Sequence, residues 1–395
     1  MKTVQINAIY ERGSTGRIVK ELSSAFDKNG IENLIISTSD FDGKNHVRVG
    51  SCLENKLHAL FARIFGYDNH YSYFSTRKII KTLKDFKPDV VHLHNLHGNY
   101  VNLPKLLRFL SKKDIATVIT LHDCWFFTGK CTHYTTQKCY RWKDGCGNCP
   151  QLKKDIPSLF FDRTSKQLQE KKKGFLSIPR LAVIGVSDWI TNEAKKSFLK
   201  DAKIIKRIYN WIDLDVFYPR EVEKSDKFTI LCIGAGWNEN SKKLKDLIKL
   251  SKILPADMGI LLAGSLSTNV SLPSNVKKVG YVSSMDELAK LYSKVDAYVH
   301  LSREDTFGKV IAEALACGTP AIVYNSTACP ELIGEGCGYV VEVGGVNAIV
   351  DRLKEIKSNG KSYYSNGCVK FVKDNFEKQN LINETIRFYK NICEN

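Results

Sequence analysis

The segment from Ser302 to Pro320 constrains the fold of this chain more than any other. Acidic residues follow an apolar run, and the chain continues through Gly308 into a helical pattern that carries Glu313. A glycine and a proline then end the helix, and an apolar run resumes at residues 321–324. The pattern predicts a strand, an acidic loop, a helix and a second strand, as in α/β proteins.

This arrangement suits a ligand that is both anionic and rich in hydroxyl groups. The unpaired N–H groups and the partial positive charge of a helix N-terminus attract phosphate, and a glycine such as Gly308 lets the backbone approach a ligand closely. Carboxylates on the loop or in the helix can accept hydrogen bonds from sugar hydroxyls. These properties together fit a sugar nucleotide, and the alternative is an ordinary helix with a charged start.

The segment resembles the donor-binding signature of the retaining glycosyltransferases of family 4, which have the GT-B fold. In that family two glutamates are separated by seven residues, and Phe-Gly stands two and three residues after the first. Counting back from Phe307 places Asp305 at the first position, with Glu304 as the alternative. The resemblance implies that one of these acids faces the transferred sugar as a catalytic residue and that Glu313 holds the ribose. It also assigns to the donor site Thr306, Phe307 and Gly308.

Apolar runs alternate with helical stretches along the chain, which predicts an α/β protein with parallel sheets. A chain of 395 residues is long enough for about two domains, and the charged stretch Pro219–Asp226 is the best boundary. With the resemblance, this predicts a GT-B fold, in which two Rossmann-like domains with parallel sheets face a central cleft. The expected parts are an acceptor domain over 1–215 with a Cys-rich insertion at about 124–150, a nucleotide-sugar domain over 225–369, and a C-terminal helix over 370–395 that crosses back to the first domain.

Two positions of the first domain are candidates for the site. The loop Gly13–Gly16 follows the first predicted strand and can bring backbone amides to a phosphate, although such a loop can equally be a simple turn. His122 follows the predicted strand over 117–121. A lone histidine there is usually structural, but the resemblance implies that His122 faces the donor sugar and the acceptor as a catalytic residue.

The second domain departs from the family at the diphosphate. Family 4 enzymes usually carry a Gly-Arg and then a Lys-Gly after the first strand, and their two cations hold the pyrophosphate. This chain has no arginine at the expected place and offers Lys242 or Lys243. The resemblance also implies base contacts at Gly280 and Tyr281.

A Pro-Glu pair closes the family signature and is present as Pro330–Glu331, which adds Glu331 to the donor-binding candidates. The Gly-Gly that usually precedes this pair is Thr327–Ala328 here.

Four of the twelve cysteines fall within nineteen residues, at Cys131, Cys139, Cys146 and Cys149. The last two have the spacing that lets two thiolates bind one Zn²⁺. One prediction is a structural zinc site in an otherwise poorly packed loop, with Cys124 and His133 as spare ligands. The other is a set of reduced free thiols. A catalytic zinc is not expected, because nothing in the sequence indicates an open coordination position.

The formal charge of +17 indicates an anionic partner. The stretch Leu57–Tyr67 has the pattern of a helix with a wide apolar face, and aromatic and basic residues follow it. This combination suits an anionic membrane surface, whereas in the alternative the apolar face packs on a sheet. Nucleic acid is not an expected partner, since the basic residues are dispersed and no recognition module is visible.

The start of the chain, Met1–Tyr10, is too short and polar for a signal peptide, and no run approaches the ~18 apolar residues of a membrane span. These features predict a cytoplasmic protein, with peripheral attachment at the inner face of the membrane.

Together these features predict a retaining transferase that moves a sugar from a UDP- or GDP-sugar to a lipid-linked saccharide in cell-surface polysaccharide biosynthesis. The resemblance implies that catalysis needs no metal or other cofactor. The alternatives are a GT-B nucleotide-sugar epimerase, an inactive GT-B assembly partner and, less favoured, a zinc-containing nucleic-acid-binding protein.

Overall fold

The computed structural model describes residues 1–223, 225–268 and 270–394. Contacts between residues divide the chain into two compact units. The first contains Met1–Ile208 and the residues from Ile382 onward, and the second contains Tyr209–Leu381. Each unit holds one parallel sheet covered by helices. The predicted α/β class with two Rossmann-like domains is therefore confirmed.

The sheet of the first unit has seven strands in the order β3-β2-β1-β4-β5-β6-β7, and all neighbouring pairs are parallel. Its interior strand β5 is buried at every position, as expected for a strand with helices on both faces. The strands are β1 (Lys2–Ile6), β2 (Glu32–Ser37), β3 (His46–Arg48), β4 (Val90–Leu93), β5 (Ala116–Leu121), β6 (Leu181–Gly185) and β7 (Ile204–Arg207).

Helix α1 packs its apolar face on this sheet and buries Val19, Leu22 and Phe26. The helices before the second unit are α1 (Gly13–Lys28), α2 (Cys52–Phe65), α3 (Tyr73–Phe86), α4 (Leu103–Leu110), α5 (Thr164–Leu176) and α6 (Asp188–Lys195). Between β5 and α5, residues 122–163 form only two short 3₁₀ turns, Trp125–Phe127 and Arg141–Lys143.

The sheet of the second unit has six parallel strands in the order β10-β9-β8-β11-β12-β13. The strands are β8 (Phe228–Trp237), β9 (Met258–Leu266), β10 (Val276–Gly280), β11 (Ala297–His300), β12 (Ala321–Tyr324) and β13 (Gly338–Val341). The helices are α7 (Lys242–Ile253), α8 (Met285–Lys294), α9 (Lys309–Ala316), α10 (Val346–Asn359) and α11 (Lys361–Phe376).

The stretch predicted as one C-terminal helix from residue 370 contains the end of α11 and the whole of α12 (Lys378–Glu394). The helices are separated at Glu377, which has an extended backbone, and the carbonyl of Phe376 accepts a hydrogen bond from the N–H of Ile212. From Ile382 onward, α12 belongs to the first unit. There the ring of Tyr389 packs 5.6 Å from that of Phe26.

Both sheets reverse their strand order beside their first strand, between β1 and β4 and between β8 and β11. Loops that leave the carboxyl ends of strands at such a point are the usual ligand sites of doubly wound sheets. Predicted site residues lie in or just after three of these loops: Gly13 at the start of α1, Lys243 in the first turn of α7, and Asp305 in the loop after β11. The loop after β5, the strand next to β4, carries His122.

The apolar face of α2 does not pack on the sheet. Its buried residues are His58 and Ala62, while Leu53, Leu57 and Leu60 are 69%, 42% and 50% exposed. The alternative in which this face is internal is therefore wrong. Across the described parts of the chain, every helix is too short or too polar to cross a membrane.

Candidate active site

Asp305 is held at three points on the loop after β11. Its backbone N–H donates to Oγ1 of Thr327 at 3.0 Å, and its carbonyl accepts from the N–H of Ala328 at 3.2 Å. Its carboxylate accepts from Nε2 of His300 at 2.8 Å. The side chain of Asp305 remains 29% exposed, so a fixed carboxylate is presented at the carboxyl edge of the sheet.

His300 is oriented by Tyr298, which lies two residues earlier and on the same face of β11. The hydroxyl of Tyr298 donates to Nδ1 of His300 at 2.8 Å, which leaves Nε2–H to donate to Asp305. Burial raises the pKa of Tyr298 well above its ordinary value, so this hydroxyl keeps its proton.

His300, Asp305 and Cys329 bring possible ligand atoms within 4.8 Å of one another. Burial and the charge of Asp305 raise the pKa of Cys329 well above its ordinary value. Nε2 of His300 already donates to Asp305. The chemistry of this group therefore favours a hydrogen-bonded support for Asp305 over a metal centre.

Lys242 and Lys243 both lie in the first turn of α7, the helix that follows β8, and only Lys243 is turned toward β8. Its Nζ is 4.8 Å from the centre of the Trp237 ring and so close to Gly234 that a Cβ there would be 2.7 Å away. Burial lowers the pKa of Lys243, and the charge of Asp305 opposes this shift. Lys242 is exposed at the start of α7. Of the two predicted lysines, Lys243 is thus the one held against β8, and its contact with a diphosphate stays a prediction.

The N-terminus of α9 begins at Gly308, whose φ of 89° lies in the left-handed region that favours glycine. The cap residue Gly308 has no side chain of its own to bond to the helix, and the first N–H groups of a helix point toward this end, as they do at anion sites. Thr306 is half-buried just before it. Phe307 is buried and anchors the turn, with its ring 5.8 Å from Tyr209 and 5.4 Å from Phe376.

Two predicted donor-binding glutamates accept hydrogen bonds from tyrosines. Glu313, 5% exposed on α9, accepts from the hydroxyl of Tyr292 at 3.3 Å. Glu331 accepts from the hydroxyl of Tyr209 at 3.3 Å. These bonds fix where each carboxylate points.

The remaining candidates of the second unit lie near this edge or on the loop itself. Glu304 is half-buried, and its carbonyl accepts from Oγ of Ser302 at 3.3 Å. Gly280 ends β10 with a φ of 89°. The 70% exposed Tyr281 lines an open depression of about 490 Å³ with residues of α8.

In the first unit, His122 is the end of a hydrogen-bonded chain. Nε2 of Gln5 donates to the carbonyl of Val19 at 3.2 Å, which turns Oε1 of Gln5 toward Nε2 of His94, also at 3.2 Å. Nδ1 of His94 therefore accepts from Nε2 of His122, at 3.0 Å. Burial lowers the pKa of His122 to about 4, so the ring is neutral near pH 7 and its tautomer is set by this chain.

A second pair lies beside it. Nε2 of His97 is 2.7 Å from Oδ2 of Asp123, whose other oxygen accepts from the N–H of Trp125. Burial disfavours the charged form of His97, but the hydrogen bond and charge of Asp123 outweigh it and raise the pKa of His97. Burial acts against the ionised Asp123 as well, and His97 nevertheless lowers the pKa of this carboxyl. The pair thus places a charge-assisted bond next to neutral His122.

The glycines of the loop after β1 have local roles. Gly13 starts α1 with a φ of 65°. A Cβ on Gly16 would be 3.2 Å from the backbone of Tyr10 and Glu11, and the Glu11 N–H donates to the carbonyl of Gly16. Gly16 is therefore required for the loop to fold back on the helix.

The four predicted zinc-binding cysteines line a single small cavity in the segment between β5 and α5. The spare candidates Cys124 and His133 are not among its lining residues. None of the twelve cysteines, all of which lie in the described ranges, is in a disulfide.

The sequence patterns did not predict His300, Thr327 and His97 as parts of these sites. The signal for His300 was a polar residue at the end of the apolar run Ala297–Leu301. Thr327 has a φ of 50°, a conformation that strains a β-branched residue. This strain explains why glycine is usual at this position in the family that the sequence resembles. The hydroxyl of Thr327, which accepts from the N–H of Asp305, is a specific feature of this loop.

Residues 15–216 match the family described as Glycosyltransferase Family 4, and residues 217–367 match Glycosyl transferases group 1. The first match alone spans more than half of the chain. This chain belongs to glycosyltransferase family 4. The predicted family and the predicted transferase activity are confirmed.

Several proteins are similar to this glycosyltransferase. The putative colanic acid biosynthesis glycosyl transferase WcaC of Escherichia coli K12 is 26% identical over 321 residues, 77% of each chain. The O-antigen chain mannosyltransferase RfbU of Salmonella typhimurium is 30% identical over 167 residues, 40% of this chain and 46% of RfbU. The crystal structure of Anabaena HepE with UDP and glucose superimposes with a TM-score of 0.66 at 14% identity, over 99% of this chain and 100% of HepE. This likeness confirms the GT-B fold.

Proposed function

We propose that this glycosyltransferase moves a sugar from a UDP- or GDP-sugar to a lipid-linked saccharide in cell-surface polysaccharide biosynthesis, with retention of anomeric configuration. The observation that carries the proposal is the three-point anchoring of Asp305 close to Lys243 and to the N-terminus of α9, where the cap residue is a glycine. The names of WcaC and RfbU, which refer to colanic acid and O-antigen, support the assignment to surface polysaccharides.

Each part of the site has one role in this proposal. Asp305 accepts hydrogen bonds from hydroxyls of the transferred sugar and keeps it oriented as the bond to the leaving group lengthens. The Nζ of Lys243 and the N–H groups at the start of α9 stabilise the diphosphate, where negative charge increases in the transition state. We propose that these protein charges suffice without a metal ion, and that the leaving phosphate accepts the proton of the acceptor hydroxyl.

In this proposal, neutral His122 donates or accepts a hydrogen bond at the sugar and does not act as a cation, since burial lowers its pKa to about 4. Glu313 and Glu331 are held in position by hydrogen bonds from Tyr292 and Tyr209 and bind the ribose and the donor. The protein works in the cytoplasm at the inner face of the membrane, where a lipid-linked acceptor and a nucleotide sugar are both available.

The exposed face of α2 supports a membrane-attached acceptor. Its leucines are continued by Phe61 and Phe65, 37% and 46% exposed, and by Phe74 at the start of α3, which is 75% exposed. Glu54 of α2 accepts from the N–H of Phe74 at 2.9 Å, so the two helix starts are adjacent. The loop over 159–161 adds Phe160, 69% exposed, because the N–H of Leu159 donates to the carbonyl of Arg63.

We define the α2 patch as these exposed apolar side chains: Leu53, Leu57, Leu60, Phe61, Phe65, Phe74 and Phe160. Exposed cations lie on the same two helices, at Lys56, Arg63, Arg77, Lys78 and Lys81. Apolar side chains surrounded by cations match the acyl boundary and the anionic headgroups of a bilayer. Each cation near such a surface contributes about 1 kcal/mol.

The deciding experiment is calorimetry with UDP-glucose, UDP-galactose, UDP-N-acetylglucosamine and GDP-mannose, using the full chain and Asp305→Asn. We expect one of these donors to bind. In turnover with a fraction of lipid-linked acceptors, Asp305→Asn should release the nucleotide of that donor on the order of 10²-fold more slowly than the wild type. Proton NMR of the product then reports whether the new linkage keeps the donor's anomeric configuration.

Failure of every nucleotide sugar to bind to a folded protein would remove the proposal. Consumption of the donor at the same rate with and without acceptor would instead indicate an epimerase, and binding without turnover would indicate an inactive assembly partner.

A further inference from the structure

The segment between β5 and α5 has an unusual backbone for its length. Its 42 residues, 122–163, contain two 3₁₀ turns and no longer helix or strand. Among the described residues, eight other than glycine have a positive φ, and four of these lie here: Lys138, Cys146, Asn148 and Asp155. Such residues persist only when the surrounding structure holds them in place. A segment with so little regular hydrogen bonding requires another source of order.

The four cysteines of this segment come together although they are spread over its sequence. Cys131, Cys139, Cys146 and Cys149 line one cavity of about 20 Å³. The thiols of Cys131 and Cys149 are hydrogen-bonded to each other, and Cys146 is close enough to interact electrostatically with Cys139 and Cys149. A volume of this size holds about one water molecule or one ion.

Three of the four sulfurs also receive N–H donors. The backbone N–H of Gln151 donates to Cys149, and that of Gly129 donates to Cys146. The amide of Gln151 donates to Sγ of Cys131 at 3.7 Å. Hydrogen bonds to a sulfur favour its thiolate form, and the thiolate is the form that ligates a metal. The donors are therefore arranged as expected around a metal–thiolate centre.

The charge around the cavity has the sign that such a centre needs. Four thiolates and one Zn²⁺ carry a net charge of −2, and Lys130 and Arg141 line the same cavity. Lys130 is only 2% exposed, and its Nζ donates to the carbonyls of Leu152 and Ile156, at 2.6 Å each. Two cations next to a dianionic centre make its burial electrostatically acceptable.

We propose that Cys131, Cys139, Cys146 and Cys149 bind one structural Zn²⁺ ion that orders residues 128–163. A complete set of four protein ligands leaves no open coordination position, so the ion has a structural and not a catalytic role. The four cysteine sulfurs are more widely spaced than the ligand atoms of His300, Asp305 and Cys329. That group is the one set among the described residues in which three ligand atoms lie within 4.8 Å of one another. Binding therefore draws the cysteine sulfurs inward by rotation about their Cα–Cβ bonds.

The site is independent of the proposed transfer reaction, and its test needs neither donor nor acceptor. The full chain, expressed without a metal-affinity tag, is analysed by inductively coupled plasma mass spectrometry beside Cys146→Ser and Cys149→Ser. Cys52→Ser is the matched control, because Cys52 is exposed on α2 and far outside the segment in sequence. We expect ~1 zinc per chain in the wild type and the control, and more than about a tenfold loss in the two variants.

Two further measurements use the wild type alone and do not depend on whether the variants fold. Co²⁺ added to metal-free protein should give the visible absorption of tetrahedral thiolate coordination. Reaction with a thiol reagent should be slow for four cysteines until a chelator is added. Purified protein without zinc that takes up neither Zn²⁺ nor Co²⁺ would refute the proposal, as would an intact mass that shows a disulfide between Cys131 and Cys149.

Discussion

Nε2 of His300 donates a hydrogen bond to Oδ2 of Asp305 over 2.8 Å. An aspartate is one methylene shorter than the glutamate usual at this position of the family signature, so its carboxylate needs a defined direction to reach a sugar hydroxyl. His300 is 5% exposed and is itself bonded to Tyr298. We infer that His300 is a positioning residue, which sets the rotamer of Asp305 without touching the substrate.

His300→Phe removes the donor and keeps a ring of similar size. We expect kcat to fall about 10–100-fold with a small change in KM, because a misplaced carboxylate weakens transition-state contacts more than donor binding. His300→Gln keeps an N–H donor and should restore part of kcat. Steady-state kinetics with circular dichroism as the folding control decides this. A wild-type kcat for His300→Phe would contradict the inferred role.

Lys242 and Lys243 provide a matched pair at the start of α7. Only Lys243 lies against Gly234 and Trp237, so Lys243→Ala should weaken nucleotide-sugar binding about 10–100-fold, the loss expected for a charge-assisted contact of ~1.5–3 kcal/mol. Lys242→Ala should leave the Kd within about threefold of the wild type, since an exposed charge contributes little. Isothermal titration calorimetry measures both. Equal losses would mean that the loop after β8 does not select between the lysines.

The buried histidines predict a loss of stability in acid. Burial lowers the pKa of His122 to about 4 and places those of His92 and His94 well below 6.5. Above their unfolded pKa these rings are neutral in both the folded and the unfolded chain, so they do not change the free energy of unfolding. As the pH falls below 6.5, the unfolded chain binds protons before the folded chain does. Each such group then removes about 1.4 kcal/mol of stability per pH unit until its folded pKa is reached.

His97 acts in the opposite direction. Although burial opposes its charge, the pKa of His97 is raised by Asp123; its contribution is therefore present at low pH and is lost as the pH rises through the folded pKa. The pKa is also lowered by burial for His46, His58 and His70, so six histidines act against His97. The urea midpoint followed by circular dichroism should therefore be lower at pH 5 than at pH 7.5. His122→Asn should reduce the difference. A midpoint that does not change with pH would contradict the neutral network.

The α2 patch predicts binding to anionic vesicles. We expect the full chain to sediment with phosphatidylglycerol–phosphatidylcholine vesicles and weakly with phosphatidylcholine alone. Replacing Leu57 and Phe61 together by serine should reduce binding by at least about tenfold, since each buried apolar side chain contributes ~1.5–3 kcal/mol. Ile253→Ser, which changes a 44% exposed apolar residue on α7, is the control. Equal sedimentation of the double variant and the control would exclude this surface as the contact.

The segment 302–320 made the α/β fold predictable, because its glycine and proline mark where a helix begins and ends between two strands. It also supplied most of the donor-site candidates, which stay predictions. The helix start at Gly308 and the strand over 321–324 follow from local pattern alone. By contrast, the contacts of Asp305 with His300 and Thr327 join residues whose proximity depends on how β11, β12 and their loops pack. No local periodicity carries that information.

The same limit explains α2. Periodicity shows that a helix has an apolar face but not which side the rest of the protein covers. Here the covered side holds His58, whose ring nitrogens are hydrogen-bonded to the hydroxyl of Ser72 and the carbonyl of Asp68. A buried histidine with two partners replaces the leucines that the pattern favoured. Similarly, the choice of Lys243 over Lys242 depends on the direction of one helix turn relative to Trp237.

Tyr389 on α12 contacts Phe26 and donates to Nδ1 of His92, deep in a sheet whose strands all lie before residue 208. During translation, the ribosome therefore releases the whole of β1–β7 well before the residue that closes their core has been made. The nascent first unit must wait, with the face around His92 uncovered, through the synthesis of about 170 further residues. Nonsense mutations and proteolytic nicks near the end of the chain should accordingly damage the part of the protein that was built first.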